Sequence, residues 1–433
     1  MKIQFLIHQF YPTSQYGAET YAYHLGLGLQ TQGHQVSVFY RENHLPRQFG
    51  LRQRLLEEEL EVDGLPVHRV FLNPRYGVGR GAFFHFLTTF YNPAIEEAFA
   101  RHLDRLRPDL IHVHHLLYLS GGLLAVACRR GIPVVATLHD FWYFCPNAQL
   151  LRPGGEICGQ NPTLHCGACM KALYGGRIPR AILPLGAPFF AWTRRHLRRA
   201  MSKVQILVAP SQFLLDEYVR QGYPADRMIM VEHGLPEQGL DQIVRSDELA
   251  YPVRVGYVGS LTRHKGVHVL IDAFRRIPPE QATLDVYGSP DPFPEYSADL
   301  RQLAVGHDHI RLRGAFEHGR LRQVLQDLDL LVVPSLWYEN SPVVIQEAFS
   351  AGVPVVASRL GALPEKVQEG VQGLLFEPGD VESLAQVLSG VLADPGQLMA
   401  LRQNLRGYRN SFDEHLNRIS GLYESLLSPR AGR

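Results

Sequence analysis

The chain has 433 residues, too many for one ordinary hydrophobic core, and this length favours two domains of roughly 200 residues each. Lys and Arg total 43 and Asp and Glu total 42, so the net charge of +1 gives no reason to expect nucleic acid as a partner. The opening MKIQFLIHQFYP has no small-residue cleavage site, and the longest uncharged apolar stretch, 181–193, contains two prolines. We therefore expect neither a signal peptide nor a membrane span, and we expect a cytoplasmic protein.

Short apolar runs alternate with longer stretches of helical period, which is typical of parallel sheets covered by helices on both faces. In the first half the predicted strands are 3–7, 36–39, 110–113, 134–137 and 204–208. In the second half they are 253–258, 283–287, 310–312, 330–333 and 353–357. The sequence thus predicts an α/β fold with two doubly wound, Rossmann-like domains facing each other across a cleft. Ligands are expected there, at the carboxyl ends of the strands.

The first half carries two candidate positions at strand ends. After the first strand, the loop containing Tyr16 and Gly17 precedes a helix, and Gly17 would let the backbone approach a ligand. His139 follows the strand 134–137. A lone histidine is more often structural than functional, so both interpretations of His139 remain open at this point.

Four of the five cysteines lie in one Gly- and Pro-containing segment with the spacing Cys-x12-Cys-x7-Cys-x2-Cys. They are Cys145, Cys158, Cys166 and Cys169. Four thiolates ending in Cys-x-x-Cys suit a tetrahedral structural zinc, and a metal could fold a loop that has little core of its own. Disulfides or free thiols are the alternatives.

A basic and aromatic segment follows the cysteines. Its residues are Arg177, Arg180, Phe189, Phe190, Trp192, Arg194, Arg195, Arg198, Arg199 and Lys203. Basic residues beside aromatic ones can contact an anionic membrane surface, at the inner face of the cell membrane for a cytoplasmic protein. The alternative is a solvated helix whose apolar side joins the core.

The polar, aperiodic segment 236–252 is the best candidate linker. Beyond it, Arg263 and Lys265 follow the strand 253–258, which places them at the carboxyl edge of the second sheet. A solvated lysine at the start of a helix is the other interpretation of Lys265. Asp327-Leu328-Asp329 has the letters of a metal-binding Asp-x-Asp motif, but it runs into the buried strand 330–333, whereas a hard cation needs open oxygen ligands. We therefore expect no catalytic metal.

The run from Pro334 to Ala348 contains the strongest functional signal. A buried strand ends, a loop carries Glu339 and Asn340, and a helix is predicted with Ser341 as N-cap and Pro342 at its first position. Free amides at this helix start, together with the helix dipole, suit a diphosphate; the amides are those of Ser341, Val343 and Val344. Glu347 can accept hydrogen bonds from two vicinal hydroxyls. A capped helix with solvated carboxylates is the alternative.

With its two glutamates separated by seven residues, the run from 334 to 352 resembles the signature of family four of the retaining glycosyltransferases, which have the GT-B fold. The likeness extends to Leu138-His139-Asp140, Ala209-Pro210-Ser211, His264-Lys265-Gly266 and 360–365. The resemblance implies that Glu347 holds the ribose of a UDP- or GDP-sugar, that Glu339 lies beside the donor sugar and that His139 contacts it. Two positions depart from the family: Tyr16 replaces the first of two glycines, and Ser260 replaces an arginine after Gly259.

In this setting negative charge develops on the leaving phosphate, and Lys265, Arg263 and the helix start are expected to stabilise it. The resemblance further implies an acceptor-binding domain over 1–235, which includes the cysteine segment 145–169. A nucleotide-sugar domain over 253–409 and a helix within 410–433 that returns to the first domain would complete the chain. The predicted function is transfer of a hexose, with retention, to a glycan or lipid-linked acceptor. A sugar-nucleotide epimerase or hydrolase and a non-catalytic sugar-nucleotide sensor remain as alternatives.

Overall fold

A computed structural model of the protein describes all residues except 15, 43–48, 50–52, 74–86, 160–162, 175–185, 235, 237–238, 292 and 429–433. The chain forms two compact units, one of Met1–Leu235 together with Phe412–Arg433 and the other of Pro236–Ser411. Within the described residues no helix combines the length and the apolar character needed to cross a membrane. Arg177 and Arg180 of the basic segment lie outside the described residues.

The strands of the first unit are β1 (Lys2–Ile7), β2 (Gln35–Arg41), β3 (Leu55–Val62), β4 (Leu65–Leu72), β5 (Leu110–Val113), β6 (Val134–Thr137), β7 (Ile206–Ala209) and β8 (Met228–Met230). Those of the second unit are β9 (Val253–Val258), β10 (Ala282–Tyr287), β11 (Ile310–Gly314), β12 (Leu330–Val333), β13 (Val355–Ser358) and β14 (Gly373–Phe376). The short central strands are buried along their whole length, as parallel strands covered on both faces must be.

The helices are, in chain order, α1 (Gly17–Thr31), α2 (Pro93–Leu106), α3 (Leu123–Arg129), α4 (Thr163–Tyr174), α5 (Ala187–Met201), α6 (Gln212–Arg220), α7 (Val267–Phe274), α8 (Pro294–Ala304), α9 (Leu321–Gln326), α10 (Val343–Ser350), α11 (Leu363–Lys366), α12 (Val381–Ala393), α13 (Pro395–Asn404) and α14 (Phe412–Leu427). Helix α1 begins at Gly17, so the expectation that Gly17 stands in the loop before the helix is wrong by a few residues. Tyr16 is the N-cap residue, without a side-chain cap, and it is exposed.

The first sheet has the strand order β3-β4-β2-β1-β5-β6-β7-β8. All its neighbours are parallel except β3 and β4, which form an antiparallel hairpin closed by Asp63 and Gly64. Helix α14 packs closely against α1, because a Cβ added at Gly28 of α1 would lie only 2.7 Å from the side chain of Leu416. The hydroxyl of Tyr423, also on α14, lies 2.6 Å from Nδ1 of His112. The last helix of the chain is therefore part of the core of the first unit.

The second sheet has the order β11-β10-β9-β12-β13-β14, with every neighbouring pair parallel. Separate hydrophobic clusters cover the sheet's two faces, so this unit is doubly wound, as predicted. The direction of strand addition reverses between β9 and β12. In open α/β sheets of this kind, ligands bind beyond the carboxyl ends of the strands at such a reversal.

Candidate active site

The second unit brings Lys265 and Glu339 together at this reversal of strand order. Lys265 ends a short 3-10 turn, Arg263–Lys265, that follows β9, and Glu339 lies in the loop that follows β12. The Lys265 Nζ donates to Oε1 of Glu339 over 2.7 Å. The chain between them folds so that the ends of two adjacent parallel strands, β9 and β12, meet.

Three donors converge on the same carboxylate oxygen of Glu339. Besides Lys265, the hydroxyl of Ser335 donates over 2.6 Å and the indole Nε1 of Trp337 over 2.8 Å. Burial of the Glu339 side chain, which is 7% exposed, works to raise its pKa. The charge of Lys265 and the three hydrogen bonds outweigh that effect and hold the pKa of Glu339 below its ordinary value. Glu339 is therefore a carboxylate held by fixed partners.

Backbone contacts fix the loop that carries Lys265 against the loop that carries Glu339. Gly266 has φ 73°, and a Cβ there would overlap the carbonyl oxygen of Pro334, so only glycine fits this position. The amide of Leu336 donates to the carbonyl of His264 over 2.8 Å. A third loop joins them, because the amide of Ala362 donates to the Glu339 carbonyl over 3.0 Å.

The helix that follows this loop begins one residue later than expected. Helix α10 starts at Val343, its N-cap residue is Pro342, and Ser341 makes no cap. The prediction of Ser341 as N-cap is thus wrong, because Pro342 has ψ 106° and stands in extended backbone rather than in the first turn. The buried hydroxyl of Ser341 has no hydrogen-bond partner within the described part of the chain.

The same helix start leaves other polar groups available to a ligand. Among the described residues no hydrogen bond from the amides of Val343 and Val344 is found, whereas the amide of Ile345 donates to the Pro342 carbonyl over 3.1 Å. Asn340, just before the turn, is buried. Amides at a helix start carry partial positive charge, so this edge suits an anion.

Glu347 lies on α10, about one turn after these amides. Burial raises the pKa of Glu347 to about 7. No hydrogen bond or ion pair of its carboxyl group is found among the described residues, in contrast to Glu339. A recessed acidic group without protein partners is suited to accept hydrogen bonds from hydroxyls of a ligand.

Arg263 does not join the Lys265–Glu339 pair. Its guanidinium reaches Asp299 of α8 at 3.4 Å and lies over the ring of Tyr296, and the side chain is 69% exposed. Ser260 is exposed as well, and its carbonyl accepts a hydrogen bond from the Tyr257 hydroxyl. Of the candidate positions 260, 263 and 265, it is therefore Lys265 that places a positive charge against Glu339.

In the first unit, His139 follows β6 and lies in a cluster of aromatic rings. Its Nε2 is 3.4 Å from Nδ1 of His114, and its ring makes an edge contact with Tyr21. Burial, with the nearby His115, lowers the pKa of His139 to about 3, so its imidazole is neutral at physiological pH. Gly17 opens α1, and a Cβ there would meet no atom within 4 Å.

Two histidine–carboxylate pairs near His139 were not foreseen from the sequence. His8 after β1 lies 3.3 Å from Glu19 of α1, and His115 after β5 lies 3.2 Å from Asp140. The rings of His8 and His115 are 4.4 Å apart. All four stand at the carboxyl edge of the first sheet where its strand order reverses. The rule that ligands bind at such strand ends could have singled out His8 and His115.

The four cysteines lie near one another. Cys145, Cys166 and Cys169 are buried and Cys158 is partly buried. The sulfur of Cys169 lies 3.8 Å from the Leu151 carbonyl oxygen. Burial, reinforced by the other thiols, raises the pKa of Cys145 to about 12.

Only one group of three or more potential metal ligands within 4.8 Å of one another occurs among the described residues: Glu59, His68 and His102. No three of the described cysteine sulfurs therefore lie within 4.8 Å of one another. The carboxylate of Glu59 in turn already pairs with Arg105 at 2.9 Å.

Asp329 of the Asp-x-Asp sequence is a structural residue. Its two carboxylate oxygens accept hydrogen bonds from Arg254 over 3.0 and 3.1 Å, and Arg402 donates over 3.0 Å. Asp327 is exposed, 3.8 Å from Arg254. The carboxylates of Asp327 and Asp329 thus lie next to arginine side chains.

Comparison with protein families gives two matches that together cover most of the chain. The model of Glycosyltransferase Family 4 matches residues 16–238, and the model described as Glycosyl transferases group 1 matches residues 252–394.

Individual relatives agree with the family matches. An uncharacterized glycosyltransferase of Methanocaldococcus jannaschii, MJ1607, is 26% identical over 405 residues, which cover 89% of this chain and 87% of the relative. The amylovoran biosynthesis glycosyltransferase AmsK of Erwinia amylovora is 28% identical over 202 residues, 44% of this chain. The match spans 48% of AmsK, about half its length.

Solved structures show the same fold. A glycosyltransferase of Rickettsia africae aligns with a TM-score of 0.68 at 14% identity, covering 99% of this chain and 98% of its own. HepE of Anabaena, in complex with UDP and glucose, aligns with a TM-score of 0.66 at 19% identity, covering 99% of this chain and 100% of its own. These likenesses confirm the predicted GT-B fold of two Rossmann-like halves.

Proposed function

The chain belongs to glycosyltransferase family 4, and on that premise we propose that it transfers a sugar, with retention of anomeric configuration, from a nucleoside diphosphate sugar to a hydroxyl group of a glycan or lipid-linked acceptor. The observation that carries the proposal is the Lys265–Glu339 pair at the end of the second sheet, next to the helix start that leads to Glu347. The amylovoran biosynthesis relative supports a role in cell-surface polysaccharide or glycolipid synthesis.

The proposed donor site is the start of α10. Its free amides and the unpartnered Ser341 hydroxyl would hold the diphosphate, and Glu347 would accept hydrogen bonds from the ribose. Asn340 and Pro342 shape this turn, and Arg263, although paired with Asp299, would add positive potential. The HepE complexes with UDP and UDP-glucose make UDP-sugars the first donors to test, with GDP-sugars next.

In the proposed reaction, the bond from C1 of the sugar to the leaving phosphate oxygen breaks while the acceptor oxygen bonds to C1 from the same face. The acceptor proton passes to the phosphate oxygen. The ammonium of Lys265 would stabilise the negative charge that develops there, and Glu339 would hold Lys265 in place and lie beside the sugar. No covalent nucleophile is required.

His139 and Gly17 belong to the proposal through the family resemblance. The low pKa of His139 makes it a neutral hydrogen-bonding group, suited to a sugar hydroxyl rather than to carrying positive charge. Gly17 would leave room for a ligand beside the start of α1. The first unit would bind the acceptor, and the second, from 253 to 409, the donor.

We further propose a structural zinc ion on Cys145, Cys158, Cys166 and Cys169. Zinc–sulfur bonds of about 2.3 Å in a tetrahedron place the sulfurs roughly 3.8 Å apart, closer than in the described geometry, so binding would draw the thiols together. The clustering of four thiols, three of them buried, supports the idea. We place the enzyme in the cytoplasm, in contact with an anionic membrane.

A panel of sugar nucleotides tests the donor assignment, because a ligand that binds only the folded state raises the thermal midpoint in proportion to the logarithm of its concentration. We expect one UDP- or GDP-sugar to stabilise the protein far more than the others. The anomeric configuration of the product, determined by NMR, tests retention, and an inverted linkage would contradict it. An epimerase or hydrolase would release or convert the donor without an acceptor, and a sensor would do neither.

A further inference from the structure

A basic pocket lies on the first unit, among residues of the basic and aromatic segment, and it would specify the membrane contact included in the proposed function. Its volume is about 400 Å³, and it lies between α5 and the turn after α6. Three arginines of α5 line it, Arg194, Arg195 and Arg198, together with Trp192 and Tyr223. We propose that this pocket binds a phosphate group carried on a lipid.

The sequence of α5 separates its core face from its basic face. Phe190, Thr193, Leu197 and Met201 are buried, which is the spacing of one helix face. The three arginines fall outside that face. The helix is therefore amphipathic, and its basic side is directed toward the pocket.

No carboxylate in the described part of the chain neutralises the positive charge of the pocket. Within the described part of the chain, no carboxylate pairs with Arg194, Arg195 or Arg198, and none lines the pocket. Arg194 and Arg198 instead donate to the side-chain oxygen and the carbonyl of Gln221, which are neutral. On α2, in contrast, Arg101 and Arg105 pair with glutamates at 2.6 and 2.9 Å. Uncompensated guanidinium groups around one cavity attract phosphate, for which their geometry is suited.

The pocket wall is ordered by contacts of its own. Gly222 has φ 81°, and a Cβ there would lie 2.7 Å from Nη1 of Arg198, so the glycine lets the guanidinium rest against the backbone. The buried Tyr223 next to it donates to the Tyr143 carbonyl over 2.9 Å. These contacts hold the base of the cavity in position.

The rim of the pocket is apolar, which selects the kind of phosphate. Trp192 is 50% exposed and stacks with Phe189 at a centroid distance of 6.0 Å. An exposed indole beside arginines is characteristic of the membrane interface, where the ring enters the headgroup region and the cations meet phosphates. A phosphate attached to an apolar chain would contact both the arginines of the pocket and its apolar rim. Two sources share this chemistry: a membrane phospholipid headgroup, and a prenyl diphosphate such as a lipid-linked acceptor.

Vesicle binding by the full chain tests the proposal, with a double variant that changes only the pocket. Arg194→Gln with Arg198→Gln removes two charges that line the cavity. Arg199→Gln with Lys203→Gln removes two charges from the same part of the chain outside it, and so keeps the net charge matched. Vesicles of phosphatidylcholine with about 30% phosphatidylglycerol are the probe, because the negative surface potential of anionic lipids attracts basic segments.

We expect the pocket variant to bind these vesicles at least about tenfold more weakly than wild type, and the matched variant to lose less than about threefold. Arg198→Lys, which keeps the charge, should retain most of the binding, and circular dichroism would confirm that each variant is folded. Equal losses in both double variants would overturn the proposal, because net charge would then suffice. Equal binding of wild type to pure phosphatidylcholine would overturn it too.

Two soluble probes identify the source of the phosphate. Geranyl diphosphate and dihexanoyl phosphatidylglycerol are titrated separately into wild type and the pocket variant. Preference for the first, lost in the variant, supports the proposal with a lipid-linked acceptor as the ligand; preference for the second supports it with a membrane lipid. Binding of neither contradicts it. UDP binding, measured in parallel, reports on the second unit and should be unchanged in the pocket variant, so the proposal can fail independently of the proposed transferase activity.

Discussion

Replacing Glu347 by glutamine should stabilise the protein and at the same time weaken nucleotide binding. Burial raises the pKa of Glu347 in the folded state to about 7, against an ordinary value of 4.5. Below pH 4.5 the group is protonated in both states and has no effect on stability. As the pH rises from 4.5 to 7, the unfolded chain loses this proton before the folded one, so folding becomes less favourable. Above pH 7 the loss is complete and constant.

The size of this loss follows from the shift in pKa. A difference of about 2.5 units corresponds to about 3 kcal/mol, since one unit is about 1.4 kcal/mol. Glutamine cannot ionise, so at pH 8 the variant Glu347→Gln should unfold in urea with a free energy up to about 3 kcal/mol larger than wild type. At pH 4.5 the two proteins should differ by less than about 1 kcal/mol.

Nucleotide binding should change in the opposite direction. Ribose hydroxyls would donate to the ionised carboxylate, and charge-assisted hydrogen bonds of this kind contribute about 1.5 to 3 kcal/mol. We expect UDP to bind Glu347→Gln roughly 10 to 100-fold more weakly than wild type at pH 8, measured by calorimetric titration. From pH 5.5 to 8 the wild-type affinity should rise more than that of the variant, because ionisation of the UDP phosphate affects both proteins and ionisation of Glu347 affects only the wild type. A variant that is less stable than wild type at pH 8, or that binds UDP equally well, would refute the assignment of Glu347.

Three further predictions concern the backbone, the proposed catalytic cation and the cysteines. Lys265→Ala should lower turnover by roughly 10²-fold or more, and Ser260→Ala by less than about threefold, in steady-state kinetics; equal small losses would remove Lys265 from the mechanism. Gly266→Ala should destabilise the protein by about 3 kcal/mol or more in urea unfolding, because a Cβ would overlap the Pro334 carbonyl at a positive φ; an unchanged midpoint would contradict the described loop packing. Metal analysis should find about one zinc per chain, absent from Cys166→Ser, and a zinc-free wild type would exclude the ion.

Most central strands could be predicted because buried parallel strands are short, continuous apolar runs. The run 253–258 is strand β9 without change. The run 204–208 is strand Ile206–Ala209 instead, since the amide of Val204 donates to the Met201 carbonyl and closes the preceding helix. Apolar character alone does not distinguish a buried turn from the first residue of a strand.

The β3–β4 hairpin was missed because its first strand is rich in glutamate. The strand Leu55–Val62 is an edge strand, and its acidic side chains point to neighbouring cations such as Arg69 and Arg101 rather than into a core. The Asp63-Gly64 turn between the strands was a usable signal, since this dipeptide favours tight hairpins. Hydrophobic periodicity identifies strands by their buried apolar side chains. It does not identify an edge strand whose side chains mainly form ion pairs.

Which residues stand at the candidate site could be predicted, but not how they are bound to one another. Positions after the ends of buried strands gave Lys265 and Glu339, and the helix that follows the second of these strands gave Glu347. That Glu339 is held by three donors while Glu347 has none in the described part of the chain depends on side-chain packing. The His112–Tyr423 contact spans 311 residues and depends on where the last helix docks. Such contacts follow from tertiary structure, which the local pattern does not encode.

The rate of nucleoside diphosphate release from the best-binding sugar nucleotide, with and without acceptor, decides whether the protein transfers a sugar. Aryl glycosides and prenyl diphosphate sugars are suitable acceptors. We expect release that depends on one of these acceptors, with equimolar formation of a glycosylated product, and we expect this release to be lost in Lys265→Ala. Release at the same rate without acceptor, or undiminished release by Lys265→Ala, would contradict it.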